Sequence, residues 1–258
     1  MKITVLGSGH SGGTPMIGEP WLTTDLKNPK NIRTRPSILV ENSETRILVD
    51  SSPDLRAQLI TAEVERLDAV IYTHGHADHL HGIDDLRSVN RVIEDWLPAY
   101  ADRKTWDDIA ARFGYVLEPL KNDTNFFYKP CLTRHDIAIG ESISIGDFAI
   151  KVMDQDHGFS RTLGFRFDNF AYSTDVVELP EASFVALEGI DTWLVGALWE
   201  TEPHTTHAHI DKVLESGERI QPRKLILTHL SHRIDYETVS ARLPEYAELA
   251  YDGMVFEV

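Results

Sequence analysis

Short aliphatic and β-branched runs recur along the chain, separated by glycine, proline and charged breaks. Residues 2 to 6 (KITVL), 37 to 41 (SILVE), 45 to 50 (TRILVD) and 68 to 73 (DAVIYT) have the length and boundaries of strands. Residues 53 to 65 read differently: Pro53 suits a first helical turn, and Leu55, Leu59, Ile60 and Val64 follow at helical spacing. The second half repeats the alternation. Strand-like stretches cover 143 to 154, 163 to 175 and 191 to 198, a helix is expected over Ile210 to Ile220, a strand over 223 to 228, and the chain closes on MVFEV. Strand runs in both halves with helices between them predict an α/β fold in one domain over residues 1–258. Its architecture is an αββα sandwich, two mixed sheets face to face with helices outside.

Residues 100–131 break the rhythm with seven aromatics: Tyr100, Trp106, Phe113, Tyr115, Phe126, Phe127 and Tyr128. Either this segment is an insertion that lines a pocket, or a helix at 104 to 113 and a following hairpin pack their aromatics on the core. Apolar runs such as Ala69 to Tyr72 are far shorter than the roughly 18 residues of a membrane helix. No signal-peptide core follows Leu6. The single cysteine, Cys131, forms no internal disulfide and reads as a small buried hydrophobe. A cytoplasmic protein without a membrane span is expected, and the sequence leaves open whether it acts as a homodimer.

The formal charge of -16 disfavours extended binding along nucleic acid. Gly7, Gly9 and Gly12 spell a dinucleotide-binding fingerprint after a strand, but Pro15, Pro20, Pro29 and Pro36 follow without a helical apolar period. The helix that must cradle a pyrophosphate is therefore not expected. Those glycines read instead as a loop near a site, where Ser8 and His10 either face the pocket or lie in the core or in solvent.

The chain has 12 histidines, unevenly spread. Strand 68 to 73 is followed directly by His74-Gly75-His76-Ala77-Asp78-His79. Imidazoles and a carboxylate suit zinc, manganese or iron, and a tight turn after a rigid strand can aim several of them at one point. Buried without a partner, such groups would cost several kcal/mol. Asp50, at a neighbouring strand end, is placed either to orient a metal-bound imidazole or simply to cap its loop.

This H-x-H-x-D-H run after a strand resembles the signature of the metallo-β-lactamase fold, and the resemblance continues through Asp50, His157, Asp175 in Tyr-Ser-Thr-Asp and His229 in Leu-Thr-His. It implies two divalent metal ions, zinc or manganese. His74, His76 and His157 would hold one, Asp78, His79 and His229 the other, and Asp175 would bridge them. Such a pair lowers the pKa of bound water enough to supply hydroxide at neutral pH.

The opening Leu-Gly-Ser-Gly-His-Ser-Gly-Gly-Thr-Pro, and Asp at position 175, resemble the phosphodiesterase branch of the superfamily. That branch includes the transfer-RNA 3′-processing endonuclease and a phosphoribosyl cyclic phosphodiesterase. The resemblance to the second covers the segment from His204 to Leu214 and implies His207 as a catalytic general acid, with His204 and His209 as alternatives. Two features depart from it. Gly18 to Asn31 holds no cysteine for the structural zinc that a histidine matching His232 would complete, and no exosite arm for RNA is recognisable. The expected activity is metal-dependent hydrolysis of a small, often cyclic, phosphodiester or nucleotide. The alternatives are hydrolysis of an ester, thioester or lactam on the same centre, or metal and nucleotide binding without turnover. His81 and the pair Arg161 and Thr162 read as surface residues, and His135 as structural.

Overall fold

The computed structural model describes residues 1–18, 24–121 and 126–258. The first half runs through β1 (Lys2–Gly7), β2 (Ser37–Glu41), β3 (Arg46–Val49), α1 (Leu55–Thr61), β4 (Ala69–Ile71), α2 (Ala77–Leu80), α3 (Leu86–Ile93), β5 (Leu97–Ala101), α4 (Arg103–Phe113) and β6 (Leu132–Asp136). The second half contains β7 (Ser142–Ile145), β8 (Phe148–Asp156), β9 (Arg161–Phe167), β10 (Phe170–Ser173), α5 (Glu181–Leu187), β11 (Thr192–Gly196), α6 (Ile210–Ile220), β12 (Lys224–Thr228), α7 (Tyr236–Ser240), β13 (Ala247–Leu249) and β14 (Met254–Glu257).

Alternation along the strands dictates the layers. In β2, β3 and β4, Ile38, Val40, Ile47, Val49 and Ile71 point inward, while Leu39, Leu48 and Val70 point the other way. Strands apolar on both faces must be covered on both faces. The inward set meets Ile150, Val152, Phe165, Tyr172, Leu194 and Ile226 of the second sheet. The outward set lies under α1, α3 and α4 through Leu55, Leu86, Val89, Trp106 and Ile109. On the far side, Trp193, Val195, Leu225 and Leu227 are covered by Leu187 of α5 and by Ile210 and Val213 of α6.

Each sheet has seven strands, ordered β14-β1-β2-β3-β4-β5-β6 and β13-β12-β11-β10-β9-β8-β7. Both are mixed: β3 to β6 pair in parallel, as do β10 to β13, and the remaining neighbours are antiparallel. The αββα expectation is met.

Several expected elements change shape. The stretches 143 to 154 and 163 to 175 are each two strands, broken by turns at Gly146 and at Asp168, which have positive φ. The helix expected over 53 to 65 closes to Leu55–Thr61, because Asp54 is drawn into a hydrogen bond with the Arg35 N–H and Glu63 turns left-handed. After α4, the described residues up to Cys131 contain a 3-10 turn at Gly114–Leu117 and no strand. The rest of the expected hairpin, residues 122–125, lies outside the described residues. After β1 the chain turns back on itself, and no α-helix opens among the described residues before α1. Among the described residues, no helix is long and apolar enough to cross a membrane.

Candidate metal centre

Five strands end at one rim of the sandwich, and each delivers part of a histidine and carboxylate cluster. Asp50 follows β3, His74 to His79 follow β4, His157 follows β8, Asp175 follows β10 and His229 follows β12. Asp50, Asp175 and His229 adopt φ of 63°, 48° and 56°. Left-handed backbone costs energy in residues with a Cβ, and it persists where surrounding structure overdetermines it, often at functional sites. Here it turns three strand ends sharply toward one point.

Two groups of ligand-capable atoms form there: His74, His76, His157 and Asp175 in one, Asp78, His79, Asp175 and His229 in the other. The atoms within each group lie within 4.8 Å of one another. The Asp175 carboxylate divides between them. Its Oδ2 lies 3.7 Å from His74 Nε2 and 3.6 Å from His157 Nε2, and its Oδ1 lies 3.1 Å from His79 Nε2 and 3.0 Å from His229 Nε2. Asp78 Oδ2 completes the second group at 3.2 Å from His79 Nε2 and 3.5 Å from His229 Nε2.

The opposite edges of the rings explain their orientation. The Thr73 hydroxyl donates to Asp50 Oδ2 at 2.8 Å, which leaves its oxygen free to accept from His74 Nδ1 at 3.0 Å. Asp50 Oδ2 also accepts from His79 Nδ1 at 2.7 Å, and the Thr206 carbonyl accepts from His157 Nδ1 at 2.6 Å. With Nδ1 carrying the proton, each Nε2 lone pair faces the cluster. His74 Nε2, His79 Nε2 and His229 Nε2 are buried and make no hydrogen bond. Buried polar atoms aimed at a common point without aligned hydrogen bonds fit a donor set for a divalent cation. Asp50 itself is fully buried and holds the His79 ring, and its Oδ1 accepts the Thr73 N–H at 2.8 Å.

Electrostatics separate the two groups. Burial, with His79 nearby, pushes the His74 imidazole well below its ordinary pKa, and burial also lowers His157. Burial opposes charge on His229 and His79 too. The facing Asp175 and Asp78 carboxylates overcome it, holding His229 at about 9 and His79 well above its ordinary value. Asp175 would be raised by burial, but the His229 and His79 imidazoles hold it well below the usual carboxylate range.

His207 precedes α6, and its ring centroid lies 4.9 Å from His157 and 4.8 Å from His229, so it packs against both groups. Gly158 makes this approach possible: its φ is +73°, and a Cβ there would lie 2.2 Å from the Thr205 carbonyl oxygen. Burial and the His229 imidazole push His207 down to about 3, so it is neutral at pH 7. His204 stacks on His207 at 5.3 Å and meets Trp199 at 5.1 Å, while His209 sits half-buried at the start of α6.

Other expected residues fall elsewhere. The Ser8 N–H and hydroxyl both donate to Asp252, at 2.9 and 2.8 Å, so Ser8 turns away from the cluster. His10 is buried with its ring 5.9 Å from that of His232, and its Nδ1 accepts the Gly12 N–H at 3.3 Å. Thr162 is no surface residue: it is buried and its hydroxyl donates to the Asp175 carbonyl at 3.0 Å, under the site. His81 is exposed and its Nε2 lies 3.1 Å from Arg112. His135 stacks on Tyr100 at 4.5 Å, and Cys131 is buried. Sequence reading missed Thr73 and the Thr206 carbonyl. Thr73 carries the weak signal of touching the histidine run, whereas a backbone carbonyl carries none.

The beta-lactamase superfamily domain profile matches residues 45–230. A solved structure of a new diphosphatase from the PhnP family is similar to the chain with a TM-score of 0.90 and 32% identity, covering 100% of this chain and 97% of that one. Human tRNase Z, short form, has the same fold at a TM-score of 0.74 and 16% identity, covering 100% of this chain and 99% of that one. An octanoyltransferase of Porphyromonas gingivalis is 29% identical over 256 residues, 98% of this chain and 51% of that protein. The chain therefore spans about half the length of that curated relative. With the profile covering most of the sandwich and the strand ends that carry the cluster, the chain belongs to the beta-lactamase superfamily.

Proposed function

We propose that this protein is a two-metal phosphodiesterase acting on a small, cyclic or linear, phosphodiester or nucleotide. His74, His76, His157 and Asp175 would hold one zinc or manganese ion, and Asp78, His79, His229 and Asp175 the other. The observation that carries this reading is the division of Asp175, whose two carboxylate oxygens face different groups of Nε2 atoms. Two divalent ions bound there would supply hydroxide from water at neutral pH and draw charge from phosphoryl oxygens. The protein's part is orientation and charge. Asp50 fixes His79 directly and His74 through Thr73, and the Thr206 carbonyl fixes His157.

His207 would face the substrate between the two groups. Neutral at pH 7, it would enter as a hydrogen-bond donor; an anionic substrate beside it would raise its proton affinity, so that it would take up a proton from solvent as imidazolium, pass that proton to the departing alkoxide and return to neutral imidazole. Support for phosphoester chemistry also comes from the whole-length likeness to a PhnP-family diphosphatase.

The test is a panel of a chromogenic phosphodiester, a thioester and a lactam, assayed with metal-loaded and chelated protein. Turnover of the diester that disappears on chelation and returns with zinc or manganese is expected. Cleavage of the thioester or lactam with the diester untouched would reject the reading. The thioester arm also addresses the acyl chemistry in the name of the octanoyltransferase relative. Binding of nucleoside monophosphates without turnover of any substrate would identify a non-catalytic binder.

A further inference from the structure

His229 differs from the other buried imidazoles of the cluster in what holds its ring. His74, His79 and His157 each have an Nδ1 fixed by Thr73, Asp50 or the Thr206 carbonyl, whereas His229 Nδ1 is buried and has no hydrogen-bond partner among the described residues. Its ring stacks between those of His207, at 4.8 Å, and His79, at 5.9 Å, which sets a plane but fixes no edge. The remaining hold on it is the backbone, which is left-handed there with φ of 56° and needs surrounding structure to keep it so.

The next residue is gripped on both sides. The Leu230 N–H donates to the Ser8 carbonyl at 2.9 Å, and the Leu230 carbonyl accepts the His10 N–H at 3.2 Å, a parallel bridge between the glycine loop and the chain leaving β12. That loop is anchored in turn by one carboxylate. Asp252 lies where the chain passes from β13, at the edge of one sheet, to β14, at the edge of the other, and its Oδ1 accepts both the Ser8 N–H and the Ser8 hydroxyl. Its Oδ2 accepts the Thr34 N–H and hydroxyl at 2.7 and 2.6 Å, and the Thr34 carbonyl accepts the Gly9 N–H at 2.8 Å. An ionised Asp has about four acceptor sites, and here four donors from two chain segments meet it. Glycine permits the approach: a Cβ on Gly7 would lie 2.0 Å from the Arg35 carbonyl oxygen, and one on Gly9 2.9 Å from that of Thr34. Two glycines of the G-x-G-x-x-G run thus serve a close packing of backbones.

From this chain of contacts we infer that Asp252 is the positioning residue for His229, acting through Ser8 and Leu230 and the main chain instead of through the ring. It does for His229 at a distance what Asp50 does for His79 by direct contact. The inference rests on the two-metal reading of the cluster and is independent of which ester is cleaved. Asp252 has no part in bond breaking.

The test titrates zinc into the metal-free full chain. Asp252→Asn keeps the shape of the side chain but turns an amide toward donors, and it should weaken one of the two ions by about tenfold or more, the low end of outer-shell effects, with the other less affected. Val89→Ala, a truncation on α3 in the outer core, lowers stability without touching the loop and should leave both affinities unchanged. Equal behaviour of the two variants would make Asp252 merely structural and overturns the inference. Where Asp252→Asn does not fold, Ser8→Ala removes one of the four bonds and keeps the main chain. It should weaken the same single ion by a smaller factor, and no loss overturns the inference. Crystal structures of the metal-free wild type and variant keep the two readings apart. In the variant, His229 Nε2 should leave its place 3.0 Å from Asp175 Oδ1, and an unmoved ring overturns the inference. If the wild type takes up no zinc, the two-metal reading fails while this comparison still decides the role of Asp252.

Discussion

The two halves of the histidine cluster are built from similar atoms and differ in what surrounds them. The His74, His76 and His157 group borders a cavity along α4, with His76 exposed, and its ring partners are a neutral hydroxyl and a neutral carbonyl. The Asp78, His79 and His229 group is wholly buried, and its supporting partner is the Asp50 carboxylate. Three carboxylates in or behind the second group create a field that favours positive charge, whereas the first group's buried imidazoles are held neutral. One group is suited to holding a cation firmly, the other to meeting a ligand.

The sharpest way to break that comparison is to remove the residue the groups share. Asp175→Ala should abolish diester turnover and lower metal content from about two ions per protomer, because each group loses a carboxylate oxygen. Full metal and full rate by elemental analysis and assay would refute the shared role. His207→Ala comes next. It should slow an ester with a poor alkoxide leaving group by ~10²–10⁴-fold, and a nitrophenolate ester far less, with metal content retained. A uniform loss on both esters would place His207 on the phosphoryl oxygens instead.

Asp50→Asn should act on the second group directly and on the first only through Thr73, so the second should lose more. Loss of the carboxylate behind His79 should weaken the second group by the ~10–100-fold typical of outer-shell partners. Thr73→Val should act on the first group through His74, so equal effects of both variants on both ions, read by metal titration, would erase the distinction. A further difference between the groups is in protons. His229 is held at about 9 and His79 well above its ordinary value, so at pH 7 a cation entering the second group displaces protons. Its affinity should fall as pH drops from 9 toward 6, by up to about tenfold per unit for each proton displaced. The first group's His74 and His157, already neutral, should show little dependence over that window. Titration calorimetry in buffers of different ionisation enthalpy reads this directly.

The places of the first four strands along the chain were legible because β-branched runs and their breaks act locally: SILVE over 37 to 41 is β2 at its observed bounds. The 210 to 220 helix was likewise read at its observed bounds. Strand β5 was missed because its sequence LPAYA contains proline and alanine and no β-branched run, and β13 because it has three residues. Helix α3 carried its signal in Leu86, Val89 and Ile93, and that signal went unread.

At the site, ligand-type side chains and their chain order were written in the sequence, since the chemistry of imidazole and carboxylate does not depend on folding. What only tertiary structure decided is how these residues share space. Asp175 turns one oxygen to each group, Thr73 relays Asp50 to His74, and Gly158 lets the His207 loop close over both halves. The charge states of His207 and His229, pushed in opposite directions, follow from burial and from facing groups far away in the chain. Composition and spacing name the groups, while field and desolvation depend on distances that exist only once the two sheets have packed.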